Sequence, residues 1–481
     1  MEQTQTLKLL FARLGLPLPT VRWWTYWQIA SLLDDDETAE ATWNELLTRL
    51  TPAELEAEAV ELLTPLLLLR RPVAKNAAEV RAAIGRPSVL SDHIVSVVYK
   101  DSMAVPAWLE AHCGRVPIGF AVSDEERERW GSRVKNGVVP WLTQRSKRIG
   151  EPLVEQFEYE MVMLNSRYKP REGSLEYFAG GYRHEKITGP VERQSDHLWR
   201  SAFLRTVAYA VSVLDMPSDL AVSFCDDLMP LSKWLRKMRP PGCVPTWLSR
   251  LEFMAEAPEE SLNGFVSTLA KSINDETNCS DILGVLDARV VSTSRLEVEI
   301  LAILVFADSE ETIDIEQFFS NPGVSVSPDE GSAEQFVLVN PDGQPSRDQA
   351  FRTLTGKLSL GLDGYLQAEI LMRPPWIPRP TENGEAIVCR TGEHSEILFS
   401  IGDKTMGRSI YWNHEWEPVR DARLGPSACT ATLLSKEYLG SLGFTENSVP
   451  KILWSAIVLS RDEDYRDFSE KRFFGSLPLR A

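Results

Sequence analysis

Cysteine is scarce in this sequence. Six residues in 481 (Cys113, Cys225, Cys243, Cys279, Cys389 and Cys429) are scattered, with no Cys-X-X-Cys pair. A small secreted scaffold is far denser in cysteine, so reduced thiols and a cytoplasmic location are expected. Long apolar runs are missing as well. The run beginning at Leu66 stops at Arg70-Arg71, and Ile300 to Ala307 stops at Asp308. A membrane-spanning helix needs about 20 apolar residues, so no membrane association is expected. The opening residues, MEQTQTLKLLFARLGLPLP, lack the basic-then-apolar order of a secretory signal. Positive charge is also in deficit. With 51 Lys+Arg against 69 Asp+Glu, the formal net charge is -18. That excludes a uniformly basic coat for nucleic acid, since diffuse attraction to phosphate needs a basic surface.

Familiar catalytic motifs are absent. The sequence has no GxxxxGK[ST] to cradle nucleotide phosphates and no GxGxxG following a strand. HExxH, GxSxG and paired cysteine ligands for zinc are missing too. No catalytic residue, metal or cofactor is therefore assigned, and a non-catalytic protein is expected. Arginine outnumbers lysine, 36 to 15, as in proteins from GC-rich bacterial genomes.

The residues that are present indicate a mixed α/β (α+β), multidomain protein. Its N-terminal and central regions read as helix-rich, and its C-terminal module as built from antiparallel strands. The expected divisions are 1–120 (helical, with an aromatic patch), 121–250 (helical and relatively basic), 251–320 (helical) and 333–481 (α+β). Thr51-Pro52-Ala53-Glu54 resembles a helix start, with a cap residue, a proline and a glutamate in order. In HLWRSAFLRTVAYAVSVL, the residues Trp199, Phe203, Val207, Ala210 and Leu214 make one apolar helical stripe, capped by Ser195 or Asp196. Ser91-Asp92-His93 repeats the Ser-Asp-His of that cap and is read as another. LEVEILAILVF suits either a helix capped at Ser294 or a half-buried strand. Beyond NPGVSVSPDEGS, short apolar runs such as FVLVNPDGQ and HSEILFSIGDK are separated by Gly, Pro, Asn and Asp, which is a β signature.

Charge is unevenly distributed. Residues 121–250 hold 20 basic against 17 acidic side chains, whereas residues 251–481 hold 20 against 37. The candidate anion or nucleic-acid site lies in the basic part: Lys233, Trp234, Arg236, Lys237 and Arg239, extended by Arg200 and Arg205. On a helix Lys233, Arg236 and Lys237 would share a side and grip one or two phosphates. Trp23, Trp24 and Trp27 form a candidate partner-docking patch, set against the simpler expectation of a core anchor.

Weaker patterns are present as well. Glu393-His394-Ser395-Glu396 and His414-Glu415-Trp416-Glu417 carry metal-ligand chemistry, but read as exposed turns. Pro341-Asp342, Glu369 and Asp403-Lys404 only distantly echo a magnesium nuclease. Residues 292–345 could form a winged helix with a third helix near 328–336, although Asp329, Glu330 and Glu334 would repel phosphate. Acidic clusters at 34–37, 308–316 and 462–464 lack the spacing of a calcium loop.

The expectation that follows is a non-catalytic component of an intracellular bacterial multiprotein assembly with other protein subunits as partners. An accessory system such as antiviral defence against mobile DNA would suit it. The rival expectation is an effector enzyme that binds nucleic acid or nucleotide through its basic central segment and supplies carboxylates from its C-terminal module.

Overall fold

A computed structural model describes the chain except residues 1, 17–18, 72–74, 102–105, 131–133, 150–151, 169–193, 232–234, 241–244, 249–250, 278–279, 294, 309–312, 321–324, 330–331, 340–351, 354, 359–375, 379–386, 393–394, 414–424, 442–447, 464–467 and 480–481. The described chain forms two compact units, one over Met1–Arg236 and the other over Lys237–Gly361 with Ala368–Ala481. The fold is mixed α+β, with helices in the first unit and mainly strands in the second. Among the described residues no helix is long and apolar enough to cross a membrane.

The first unit is built from α1 (Glu2–Ala12), α2 (Pro19–Asp34), α3 (Ala39–Leu50), α4 (Glu56–Leu63), α5 (Ala77–Ala83), α6 (Val89–Tyr99), α7 (Asp124–Arg129), α8 (Val139–Ile149), α9 (Leu153–Tyr168), α10 (Gln194–Val213) and α11 (Ser218–Cys225). Helix α10 is the axis: it packs most extensively on α9, and also on α4, α6 and α11. The expected stripe of Trp199, Phe203, Val207 and Ala210 is buried. So is the opposite side, with Arg200, Ser201, Arg205 and Thr206 also out of solvent. The apolar stripe is thus only part of what α10 buries. A helix enclosed on every side needs partners for its polar residues, and neighbouring helices supply them.

Helix starts differ from the expected positions by a few residues. Thr51 ends α3, and α4 begins at Glu56, where the Glu58 carboxylate accepts the backbone N–H groups of Glu54 and Leu55. Ser88 caps α6 by accepting from the Ser91 amide, so Ser91-Asp92-His93 lies inside that helix. The backbone groups of a first turn need any acceptor in reach, and Glu58 and Ser88 reach them sooner than the expected residues.

The second unit centres on an antiparallel sheet. Its strands are β1 (Asp281–Thr293), β2 (Leu296–Asp308), β8 (Val388–Thr391), β9 (Glu396–Ile401), β10 (Lys404–Asn413), β11 (Gly425–Ser435), β12 (Ser448–Ser460) and β13 (Ser469–Pro478), in the order β13-β12-β2-β1-β11-β10-β9-β8. A bridge at Gln335↔Val388 continues it into β4 (Ser332–Val339), followed by β3 (Ser325–Asp329), β6 (Thr355–Leu358) and β7 (Trp376–Pro378); β5 (Arg352–Thr353) pairs with β2. The span 251–320, expected to be helical, contains α12 (Pro258–Glu276) and α13 (Ile315–Ser320), and between them β1 and β2 form a long hairpin, so LEVEILAILVF takes the strand of its two expected readings. The winged helix over 292–345 is likewise corrected: the span of its third helix falls on the antiparallel pair β3–β4.

The physical reason is that β2 is buried on both faces, so its Ala302-Ile303-Leu304-Val305 run shows no alternation to betray a strand. On one face Val285, Ile303, Val305 and Leu453 pack with Phe318 of α13 and Trp376 of β7. On the other, α12 lies along β1 and β13, burying Leu262, Phe265, Val266, Leu269 and Ile273 at helical spacing. Trp454 donates its indole N–H to Asn263 Oδ1 on that helix at 2.8 Å. Its cross-strand partner is Gly475, where a Cβ would lie 2.2 Å from the indole ring, so only glycine leaves the tryptophan room.

Candidate functional site

The first unit contains a polar cavity of about 350 Å³ lined by Glu56, Arg86, Glu110, His112, Cys113, Arg167 and Arg205, with Pro87 and Ala107. Helices α4 and α10 fix its floor. The Ala57 N–H donates to Ser201 Oγ at 3.1 Å, which pins the start of α4 against α10. One residue earlier, the buried Glu56 accepts from Arg205 Nε at 2.9 Å. Burial pushes the Glu56 carboxyl up, against the pull of Arg205 and Arg86. Burial pulls the Arg205 guanidinium down, but Glu56 and then Glu160 hold it above its ordinary value. The second Glu56 oxygen, Oε2, is buried without a hydrogen-bond partner. An unpaired buried acceptor costs about 1–3 kcal/mol, which a ligand donor would offset.

The wall is the loop after the 3-10 turn Ala107–Glu110. The Cys113 N–H donates to Glu160 Oε1 of α9 at 2.7 Å. Gln156, one turn earlier on α9, donates to the same oxygen at 2.9 Å and to the Gly114 carbonyl at 3.0 Å. Gly114 sits at φ +90, which glycine adopts without a Cβ clash. In that conformation its N–H donates to His112 Nδ1 at 3.0 Å. A neutral His112 accepting at Nδ1 carries its proton on Nε2, which faces Ser212 Oγ at 3.0 Å. The imidazole thus donates to the serine and cannot draw its proton, so the pair is not a nucleophile and base.

The cysteine is equally quiet. Burial, with Glu160 beside it, pushes the Cys113 thiol up to about 11; Arg205, with Nη1 3.9 Å from Sγ, opposes this without overcoming it. A thiol at neutral pH is a poor nucleophile. The cations are more available. Neither Arg86 nor Arg167 has an ion pair or hydrogen bond among the described residues; Arg167 only lies over the Tyr168 ring, 5.2 Å from its centre. Two unengaged guanidiniums beside a neutralised Glu56–Arg205 pair suit a small phosphate or carboxylate.

The residues expected from sequence are placed differently. Lys233 and Trp234 lie outside the described residues. Leu235 to Lys237 form a turn, so among the described residues Arg236 and Lys237 do not share a helical side. Arg236 is half-buried, donates from Nε to the Leu231 carbonyl at 3.3 Å, and is pulled down by burial against the effect of Asp226. Lys237 is exposed; the Arg239 carbonyl accepts from the Tyr411 hydroxyl at 2.7 Å. Arg200 is buried with its guanidinium 5.2 Å from the Trp199 ring centre, and Arg205 is paired with Glu56. Both are buried within the helical unit, and Arg205 lines the polar cavity.

The aromatic patch divides. Trp23 is fully buried and cannot dock a partner, because α2 turns it into the core beside Tyr26 and Ile29. Trp24 and Trp27 are half-buried, with Arg13 5.1 Å from the Trp24 ring centre. Glu393, His394 and 414–417 lie outside the described residues, as do Pro341, Asp342 and Glu369. Glu396 is 3.7 Å from Arg408, and Lys404 pairs with Glu437 at the surface. Among the described residues no group of three or more His, Cys, Asp or Glu side chains is arranged to hold a metal ion.

Sequence reasoning missed Glu56, Arg86, Cys113, Glu160 and Arg167. They are dispersed over α4, a loop, another loop and α9, so no spacing marks them. One usable signal existed: charged residues inside α10, a helix otherwise rich in apolar residues, must find opposite charges elsewhere. No protein-family model matches the chain, and no curated protein matches its sequence.

Proposed function

We propose that this chain is a non-catalytic component of a cytoplasmic multiprotein assembly whose helical unit binds a small anion. The carrying observation is the pair Arg86 and Arg167, which line one cavity with the mutually neutralised Glu56 and Arg205. Binding is favoured over chemistry because the raised Cys113 thiol and the donor state of His112 leave that cavity without an activated nucleophile. The association with other subunits draws support from charge. Residues 251–481 carry 37 acidic against 20 basic side chains, a composition that attracts basic partners at low ionic strength.

The test is thermal unfolding of the full chain with inorganic phosphate at constant ionic strength. At about 100 times its dissociation constant a ligand stabilises the native state by about 2.7 kcal/mol, which should move the melting transition by several degrees. Arg86→Ala with Arg167→Ala should abolish the shift. Absence of any shift in the unaltered chain would defeat the proposal, as would EDTA-sensitive cleavage of nucleic acid by the purified protein.

A further inference from the structure

We infer that the anion bound by the helical unit is the head of a larger ligand, a flat ring joined to a single phosphate, of which a nucleoside monophosphate is the simplest form. This rests on the assignment of Arg86 and Arg167 as the anion-binding pair. The added observation is a second cavity of about 380 Å³ in the same unit, which shares the wall residues Pro87 and Ala107 with the arginine cavity. Its remaining lining is mainly apolar, with Ala78, Ala82, Ile84 and Trp108.

The two spaces differ in chemistry. In the second, Arg81 is already held by Asp92 at 3.0 Å, and the Ser91 hydroxyl donates to the Ser88 carbonyl at 2.9 Å. Its charges are therefore satisfied internally, and a further anion would gain little there. What it offers instead is apolar surface. Trp108 is only 2% exposed, and its Nε1–H is buried with no hydrogen-bond partner. A flat uncharged ring would gain by contact with the alanines and isoleucine of this lining. Each cavity alone lies near the lower end of the roughly 300–1,000 Å³ typical of small-molecule sites. Side by side they match a ligand with one uncharged and one charged end.

Isothermal titration of the full chain with adenosine monophosphate, inorganic phosphate and adenosine tests this. The monophosphate should bind at least about tenfold more tightly than phosphate, a gain of about 1.4 kcal/mol. Ala82→Leu enlarges an exposed side chain within the apolar cavity and should bring the monophosphate to parity with phosphate; circular dichroism checks that this variant is folded. Arg86→Ala with Arg167→Ala should weaken both phosphates and leave no advantage over adenosine. Equal affinity for the monophosphate and phosphate in the unaltered chain overturns the two-ended ligand while leaving the anion site standing. So does a monophosphate-to-phosphate ratio that Ala82→Leu does not move. If neither phosphate binds, the anion site itself falls, and this inference with it.

Discussion

The helical unit and the sheet unit bury charge in different ways. In the helical unit the buried pairs join elements far apart in the chain: Arg22 of α2 to Glu61 of α4 at 2.6 Å, and Glu56 of α4 to Arg205 of α10; the half-exposed Arg127 of α7 likewise holds the buried Glu158 of α9 through two bonds. In the sheet unit the buried Arg289 reaches Glu297 at 2.6 Å across the turn of the β1–β2 hairpin, its near neighbour in sequence. The helical pairs tie together helices that are distant in the chain, whereas the hairpin pair joins neighbouring strands whose register apolar residues also set.

Breaking a long-range pair should therefore have the largest effect. Arg205→Leu leaves Glu56 buried and unpaired, with an expected loss of about 3–5 kcal/mol, while Arg205→Leu with Glu56→Leu should recover most of it. Urea unfolding followed by circular dichroism reads this; equal losses in the single and double variants would show that the pair does not act as a unit. The sheet should be most sensitive to shape instead. Gly475→Ala forces a methyl group into the Trp454 ring and should cost about 1–3 kcal/mol in the same measurement. Removal of the exposed Lys404–Glu437 pair by Lys404→Ala should change stability by less than about 1 kcal/mol.

The cavity wall supplies a separate check. The Cys113 thiol is raised, so its neutral form is favoured in the folded state and thiolate appears only as pH rises toward about 11. Alkylation by iodoacetamide, followed by peptide mass mapping, should show Cys113 reacting on the order of 100-fold more slowly at pH 8 than in the urea-unfolded chain. Rapid alkylation at neutral pH would restore a nucleophilic role.

The sequence was legible where structure is local. The strands from β8 onward could be seen because turns punctuate them; HSEILFSIGDK contains the two-residue turn Gly402-Asp403, with Gly402 at φ +56. The start of β2 was half-legible, since Leu296, Val298 and Ile300 alternate with Glu297 and Glu299, but burial of Ala302 to Val305 on both faces removes the period of two from the rest. The polar cavity was illegible for the reason that makes it a site. Its walls are assembled from residues up to 149 positions apart, as with Glu56 and Arg205, and each is ordinary in its own segment.

The pairing of distant strands also bears on how the chain is made. Strand β1 pairs Asp281 with Ser435, and β2 pairs Leu296 with Ser460, so a hairpin finished early must wait for partners translated much later. At 5–20 residues per second the interval between Asp308 and Ser448 is roughly 7–28 s, during which the edge of β2 that β12 comes to occupy lies open to water and to other nascent chains. Ribosome-associated chaperones should therefore matter more to the yield of this protein than its equilibrium stability does.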